Sequence, residues 1–347
     1  MRIILDNIIF SLQRPGGVSG FWSKLVEELL KHPELDIRFL EREDAYRNIF
    51  RARLDIPSSQ IIRYEKLPLR LDRYMPVRID DDDPYIFHSP YYRFSTDKKA
   101  VNVVTLHDFI YEEAHVHSFP AKTIHKWQKS RALKHADAIG CVSNATLARL
   151  HKHYPQIKTE AKVIYNPIVC DMPSKQTSVT PYLLYVGSRA PYKNFEIAAK
   201  AAACSGRPLI IAGAPLTLEE KRTLSNLRLF FEQAEHPSPK KLASLYTNAF
   251  ALLYPSSHEG FGIPIIEAQS HGCPVIISNC DACQEVGGPA AMTVLDMNVK
   301  TLTDAIDQLK NNRLRDKIIS AGYDNAKRFI LSDIANQYIS LYQSTGI

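Results

Sequence analysis

Short apolar runs alternate with segments of helical period along most of the chain. In the first half, residues 2–9, 35–40, the stretches YIFHS and VNVVTL, a short run ending in CVS, and KVIYNP predict strands. The first of them leads through RPGG into an apolar-periodic segment, so a helix is predicted over residues 18–30. FPAKTIHKWQKSRALKH predicts a basic helix, and Ser143 stands where it caps the next one. Residues 41–78 break the pattern, being irregular and rich in arginine. In the second half, PYLLYVGS, PLIIAGA, residues 250–254 and CPVIIS predict strands. Helices are predicted after Asn194, over 217–227, before residue 250, over 263–271, and over 300–311, 313–329 and 332–343. Strand and helix take turns, so the expected class is α/β, with two Rossmann-like doubly wound parallel-sheet domains. The expected boundaries are a first domain at 1–166, a Pro/Ser/Thr-rich linker at 167–180 and a second domain at 181–328.

Length agrees, since 347 residues exceed one ordinary core. The longest apolar run falls well short of the ~20 residues that span a bilayer. The first strand carries Asp6 and no small-residue cleavage site follows, so it reads as a strand and not a signal peptide; a cytoplasmic protein is expected, at most peripheral on a membrane. A formal net charge of +6 is modestly basic, which suits an anionic ligand or an anionic membrane surface and does not suggest nucleic acid. Lys122, Lys126, Lys129, Arg131 and Lys134 on the basic helix fit either a solvated face or such a surface. The six cysteines are scattered without a disulfide framework, and Cys280 and Cys283 lack a second closely spaced ligand pair, so no metal is assigned. No cofactor is expected.

Candidate chemistry gathers where strands end. After residues 250–254 comes SSHEGFG, whose glycines permit close backbone approach, followed by Pro264 at a helix start. Glu259 and Glu267 flank that start. Carboxylates accept from paired hydroxyls and first-turn amides attract anions, and together these point to a sugar nucleotide. Arg189 and Lys193 follow the strand PYLLYV, where fixed positive charge would meet diphosphate oxygens. Gly16 and Gly17 open the first helix, where amides can approach phosphate. His107 and Asp108 end VNVVTL, an imidazole to meet a hydroxyl and a carboxylate to set its tautomer or charge. His88 and Asp108 are candidates for the acceptor side.

PSSHEGFGIPIIEAQSHGCPVI closely resembles the signature of retaining glycosyltransferases of family 4, P-S-x-x-E-G-F-G-x-P-x-x-E-A-x-x-x-G-x-P-V. The resemblance implies that Glu259 holds donor-sugar hydroxyls, Glu267 holds the nucleotide ribose, and Phe261, Gly262 and Ile263 offer amides to sugar and phosphates. VGSRAPYKNF is similar to the family's phosphate-binding segment, implying that Arg189 and Lys193 clamp the diphosphate. Gly16 and Gly17 then stand at the family's glycine turn, and His107 at its strand-end histidine facing the donor sugar. Glu285 and Gly287 match a further loop. The implied fold is GT-B, two domains facing a cleft, with residues 329–347 crossing back onto the first domain. The implied activity is metal-independent transfer from a nucleotide-sugar donor, GDP-mannose being the expected one, to a saccharide or lipid-linked saccharide of polysaccharide or lipopolysaccharide synthesis. A UDP-sugar transferase, an epimerase or phosphorylase of the same fold, and a non-catalytic sugar-nucleotide scaffold are the alternatives.

Overall fold

A computed structural model describes residues 1–13, 16–79, 81–114, 119–168 and 181–347. Most of the expected linker lies outside them. The chain separates into two compact units, the second ending at Phe329 and the first including Ile330–Ile347.

Seven parallel strands build the first unit: β1 (Arg2–Asp6), β2 (Asp36–Glu41), β3 (Ile61–Arg63), β4 (Tyr85–Ser89), β5 (Ala100–Leu106), β6 (Ala138–Cys141) and β7 (Ala161–Val163). Their order is β3-β2-β1-β4-β5-β6-β7, so successive crossovers change direction between β1 and β4. β1 is shorter than the predicted 2–9. Its last residue, Asp6, is buried and accepts the amide of Ile8 at 3.2 Å, which turns the chain into a short helix, Ile8–Leu12. Asp6 can sit in the core because Arg93 donates to both its oxygens and Ser89 donates to Oδ2 at 2.9 Å. Arg93 also pairs with buried Asp72, which Arg42 meets at 3.1 Å.

The helix Gly17–Leu29 buries Phe21, Trp22, Leu25, Val26 and Leu29 at three- and four-residue spacing. That face packs in one core with Ile334, Ala335, Tyr338 and Tyr342 of the helix Leu331–Gln343. Full burial of each such side chain contributes roughly 1.5–3 kcal/mol. His88 lies in the same core, with no exposed surface. Its Nδ1 meets the Tyr342 hydroxyl at 2.6 Å and its Nε2 meets Thr105 at 2.8 Å. The expectation that His88 touches an acceptor is therefore corrected. Both ring nitrogens are engaged inside the protein, and burial pushes the imidazole pKa down to about 3.

Six parallel strands build the second unit: β8 (Leu183–Val186), β9 (Leu209–Gly213), β10 (Phe231–Glu235), β11 (Ala251–Tyr254), β12 (Val275–Ser278) and β13 (Ala291–Val294). The order β10-β9-β8-β11-β12-β13 reverses direction between β8 and β11. β10 and β13 are the sheet's edges, and neither was predicted. FEQAE is only partly covered, so it carries no apolar run to announce it. The helix Asp281–Gly287 was also unpredicted. Gly213 and Gly187 let the ends of β9 and β8 meet. Gly213 has φ of +155°, and a Cβ there would lie 2.7 Å from the Gly187 carbonyl oxygen.

The burial of His88 sets a pH dependence. A ring with folded pKa about 3, against about 6.5 in an unfolded chain, stabilises fully above pH ~6.5 and loses that contribution as pH falls towards 3. The urea-unfolding free energy should lose about 1.4 kcal/mol per pH unit through this ring between those limits, and a His88→Gln variant should lack that component of the slope.

Candidate active site

The carboxyl ends of β8 and β11 flank the point where the second sheet reverses, the place where open parallel sheets leave a crevice. The loops that follow them are tied together. Asn194, held at φ of +52°, donates its side-chain amide to the Pro255 carbonyl at 2.8 Å. Ser257 donates its amide to the Tyr192 carbonyl at 2.8 Å. This lashing brings Lys193, which ends the turn Pro191–Lys193, onto Glu259. The ammonium also reaches the Tyr254 hydroxyl at 3.3 Å and lies over the Tyr254 ring at 5.2 Å. Burial works against the charge of Lys193, but adjacent Glu259 outweighs it and the pKa is raised.

Beyond Glu259, Gly262 adopts φ of +110° and the helix Ile263–Ser270 begins with Pro264 in its first turn. That conformation is strained for any other residue. Among the described residues, the amides of Gly262 and Ile263 donate to no protein acceptor. They point positive ends out of a helix start beside the ion pair. Phe261 is buried, packed edge-on against Phe329 with ring centroids 5.6 Å apart. One turn along the helix, half-buried Glu267 accepts a hydrogen bond at 3.1 Å from the hydroxyl of Tyr246, a fully buried ring of the helix Pro239–Asn248. Burial first, and then the Glu267 carboxylate, raise the Tyr246 pKa, so the phenol stays a donor.

Arg189 has other partners. Its Nε donates to Glu220 at 2.6 Å, and its two terminal nitrogens donate to the carbonyls of Ala214 and Pro215 at 3.0 and 2.7 Å. Glu220 belongs to the capping box of the helix Leu218–Asn226. The two cations of the expected clamp therefore have different partners. Lys193 meets Glu259, whereas three donor positions of Arg189 are committed to bracing the β8 loop against the loop after β9.

In the first unit His107 directly follows β5, half-buried, with the Phe21 ring edge-on at 5.4 Å. Its Nε2 donates to the Pro90 carbonyl at 3.1 Å, which leaves the Nδ1 lone pair as acceptor. The tautomer is thus set by Pro90 and not by Asp108, whose Oδ1 accepts the Ile110 amide at 3.1 Å. Burial foremost, with a smaller contribution from Lys129, lowers the His107 pKa to about 4, so the ring is neutral near pH 7. Lys129 is not on the outer face expected of it. It is fully buried, 2.8 Å from the Asp108 carbonyl and 2.9 Å from Glu112. Gly16 caps the helix Gly17–Leu29, but Gln13 Oε1 already accepts the Ser19 amide in its first turn at 3.3 Å. Gly17 is exposed, with open space around its α-carbon. Tyr246, Tyr254 and Asn194 were missed by sequence reading, because each acts through a partner distant in the chain.

Two family models match the chain. The family Glycosyl transferases group 1 matches residues 173–325, and Glycosyltransferase Family 4 matches residues 15–171. Solved structures share the fold across the chain. A sucrose-phosphate synthase from Thermosynechococcus elongatus superposes with a TM-score of 0.75 at 18% identity, covering 99% of this chain and 98% of that one. Anabaena HepE in complex with UDP and glucose gives a TM-score of 0.75 at 17% identity, covering 99% of this chain and 100% of that one. The fold is thus GT-B. The chain thus carries a Glycosyltransferase Family 4 domain followed by a Glycosyl transferases group 1 domain, and is a glycosyltransferase. Relatives include the O-antigen chain mannosyltransferase RfbU of Salmonella typhimurium, 27% identical over 65% of this chain and 67% of its own. The O-antigen chain mannosyltransferase B of Escherichia coli is 26% identical over 76% of this chain and 75% of its own.

Removing one member of the Lys193–Glu259 pair should strand the other as a buried charge. Lys193→Met should cost about 3–5 kcal/mol in urea unfolding, and adding Glu259→Gln should recover most of it.

Proposed function

We propose that this glycosyltransferase moves mannose from GDP-mannose to a saccharide or lipid-linked saccharide acceptor in surface-polysaccharide synthesis, with retention at the anomeric carbon and without a metal ion. The observation that carries the donor site is the Lys193–Glu259 pair beside the unused amides of Gly262 and Ile263, at the reversal of the second sheet. The names of the two O-antigen mannosyltransferases support the choice of sugar and acceptor class.

Donor binding exchanges partners without leaving a charge unpaired. Diphosphate oxygens take the Lys193 ammonium and the two amides, while sugar hydroxyls donate to the Glu259 carboxylate it releases. Glu267, steadied by Tyr246, accepts from the ribose hydroxyls. As the bond between the anomeric carbon and the phosphate oxygen breaks, negative charge grows on the departing diphosphate, and Lys193 with the helix amides stabilises it in place. Arg189 acts by holding the β8 loop, and thus Lys193, in position. The acceptor oxygen bonds to the same face of that carbon, and its proton passes to the departing phosphate. Neutral His107 accepts a sugar hydroxyl at Nδ1.

Calorimetric titration with GDP and UDP separately, in EDTA, tests the reading. GDP should bind without metal, and Glu267→Ala should weaken it by about 1.5–3 kcal/mol, roughly ten- to a hundredfold. Binding of UDP alone would replace the proposed donor, and failure of both would overturn the site.

A further inference from the structure

Large apolar side chains stand exposed together on the first unit. Leu67, Leu71 and Met75 are 38%, 58% and 45% exposed, and Ile124 and Trp127 are 45% and 49% exposed. Leu71 and Met75 lie four residues apart, along and just past the short helix Leu69–Asp72; Ile124 and Trp127 lie three apart on the helix Phe119–His135. Ile124 and Trp127 therefore share one side of their helix. The two elements are joined. Gln128 donates to the Arg73 carbonyl at 2.6 Å and Arg131 to the Tyr74 carbonyl at 3.3 Å. Isolated exposed apolar residues are ordinary on a protein surface, but a gathering of this kind marks an interaction site.

Its charge says what it meets. Lys66, Arg70, Lys126 and Lys134 are exposed beside these residues, and Arg131 lies over the Trp127 ring at 4.6 Å. Among the described residues, none of these five cations reaches a carboxylate. Asp72, the nearest acid in sequence to Leu71, is buried against Arg42 and Arg93 and adds no exposed negative charge. A second copy of this chain would bring the same cations face to face, which is repulsive. We propose that this surface docks on an anionic lipid bilayer, the leucines, methionine, isoleucine and tryptophan entering the interface and the five cations meeting lipid phosphates. Tryptophan and basic residues side by side are suited to that boundary, where one end of a side chain is apolar and the other wet. Lys129, buried against Glu112, takes no part. The proposal is independent of the donor site.

The two tryptophans provide the readout. Trp22 is fully buried and donates to Asn7 at 2.8 Å, so lipid cannot change its surroundings; Trp127 is half exposed. The full chain is floated with vesicles of phosphatidylcholine alone or with one-third phosphatidylglycerol, and its emission is recorded. Flotation with the phosphatidylglycerol vesicles, a blue shift, and weakening by salt are expected. Trp127→Phe should still float but lose the shift. Leu71→Ser with Met75→Ser, both at exposed positions, should keep the native circular dichroism and lower vesicle binding by about tenfold or more. Equal binding to both vesicle types, flotation with unchanged emission, or full binding by the double variant overturns the proposal. A blue shift that rises with protein concentration in the absence of lipid identifies a second copy as the occupant, and overturns it as well.

Discussion

A parallel sheet covered by helices on both faces has nowhere for polar chemistry except the ends of its strands. Both units obey that constraint. Strand interiors such as LLYV, LIIAG and VIIS are apolar and closed, while charge is held at or just past strand ends. In the second unit the consequence is an ion pair, Lys193 with Glu259, in surroundings too dry to tolerate either alone. Such a pair is inert until something offers both partners a replacement at once, and a ligand carrying an anion and hydroxyls does so.

The first unit meets the same constraint with a structural answer. Asp6, Arg93, Asp72 and Arg42 form a buried chain of alternating charge at the ends of β1 and β4 and the loops beside them. Each member is satisfied by its neighbours, so the network fixes the loops. His107 depends on this rigidity in a related way. Its proton is placed by the Pro90 carbonyl in the loop after β4, and Lys129 anchors the residue after it through the Asp108 carbonyl.

How much could be read from the sequence follows from how far each interaction reaches along the chain. The signature around Glu259 and Glu267 is contiguous, so its strand, turn and helix were legible together with the positions of Gly262 and Pro264. Strand β10 was not, because an edge strand so little buried shows no apolar run; β13, AMTV, is four residues long and buries only its last. His88 and His107 both stand at or just beyond the end of a strand in sequence. Packing against Trp22, Thr105 and Tyr342, the last 254 positions away, makes the first a core residue. The bracing partner of Arg189 was hidden for the same reason, since Glu220 lies 31 residues on and nothing local announces it. Lys129 looks like its helix neighbours until Glu112 and Asp108 are folded against it.

Helix Leu331–Gln343 has an implication for the order of events during synthesis. Tyr338 and Tyr342 complete the core around Trp22, His88 and Thr105, yet they follow the whole of the second unit in the chain. On the ribosome, the first domain must wait with that apolar seam uncovered while nearly half the polypeptide is still being made. The second domain, nearly all of which precedes Ile330 in one stretch ending at Phe329, can close first. The part of the protein translated earliest is thus the last to mature, and exposure to chaperones or to aggregation falls on the first domain in that interval.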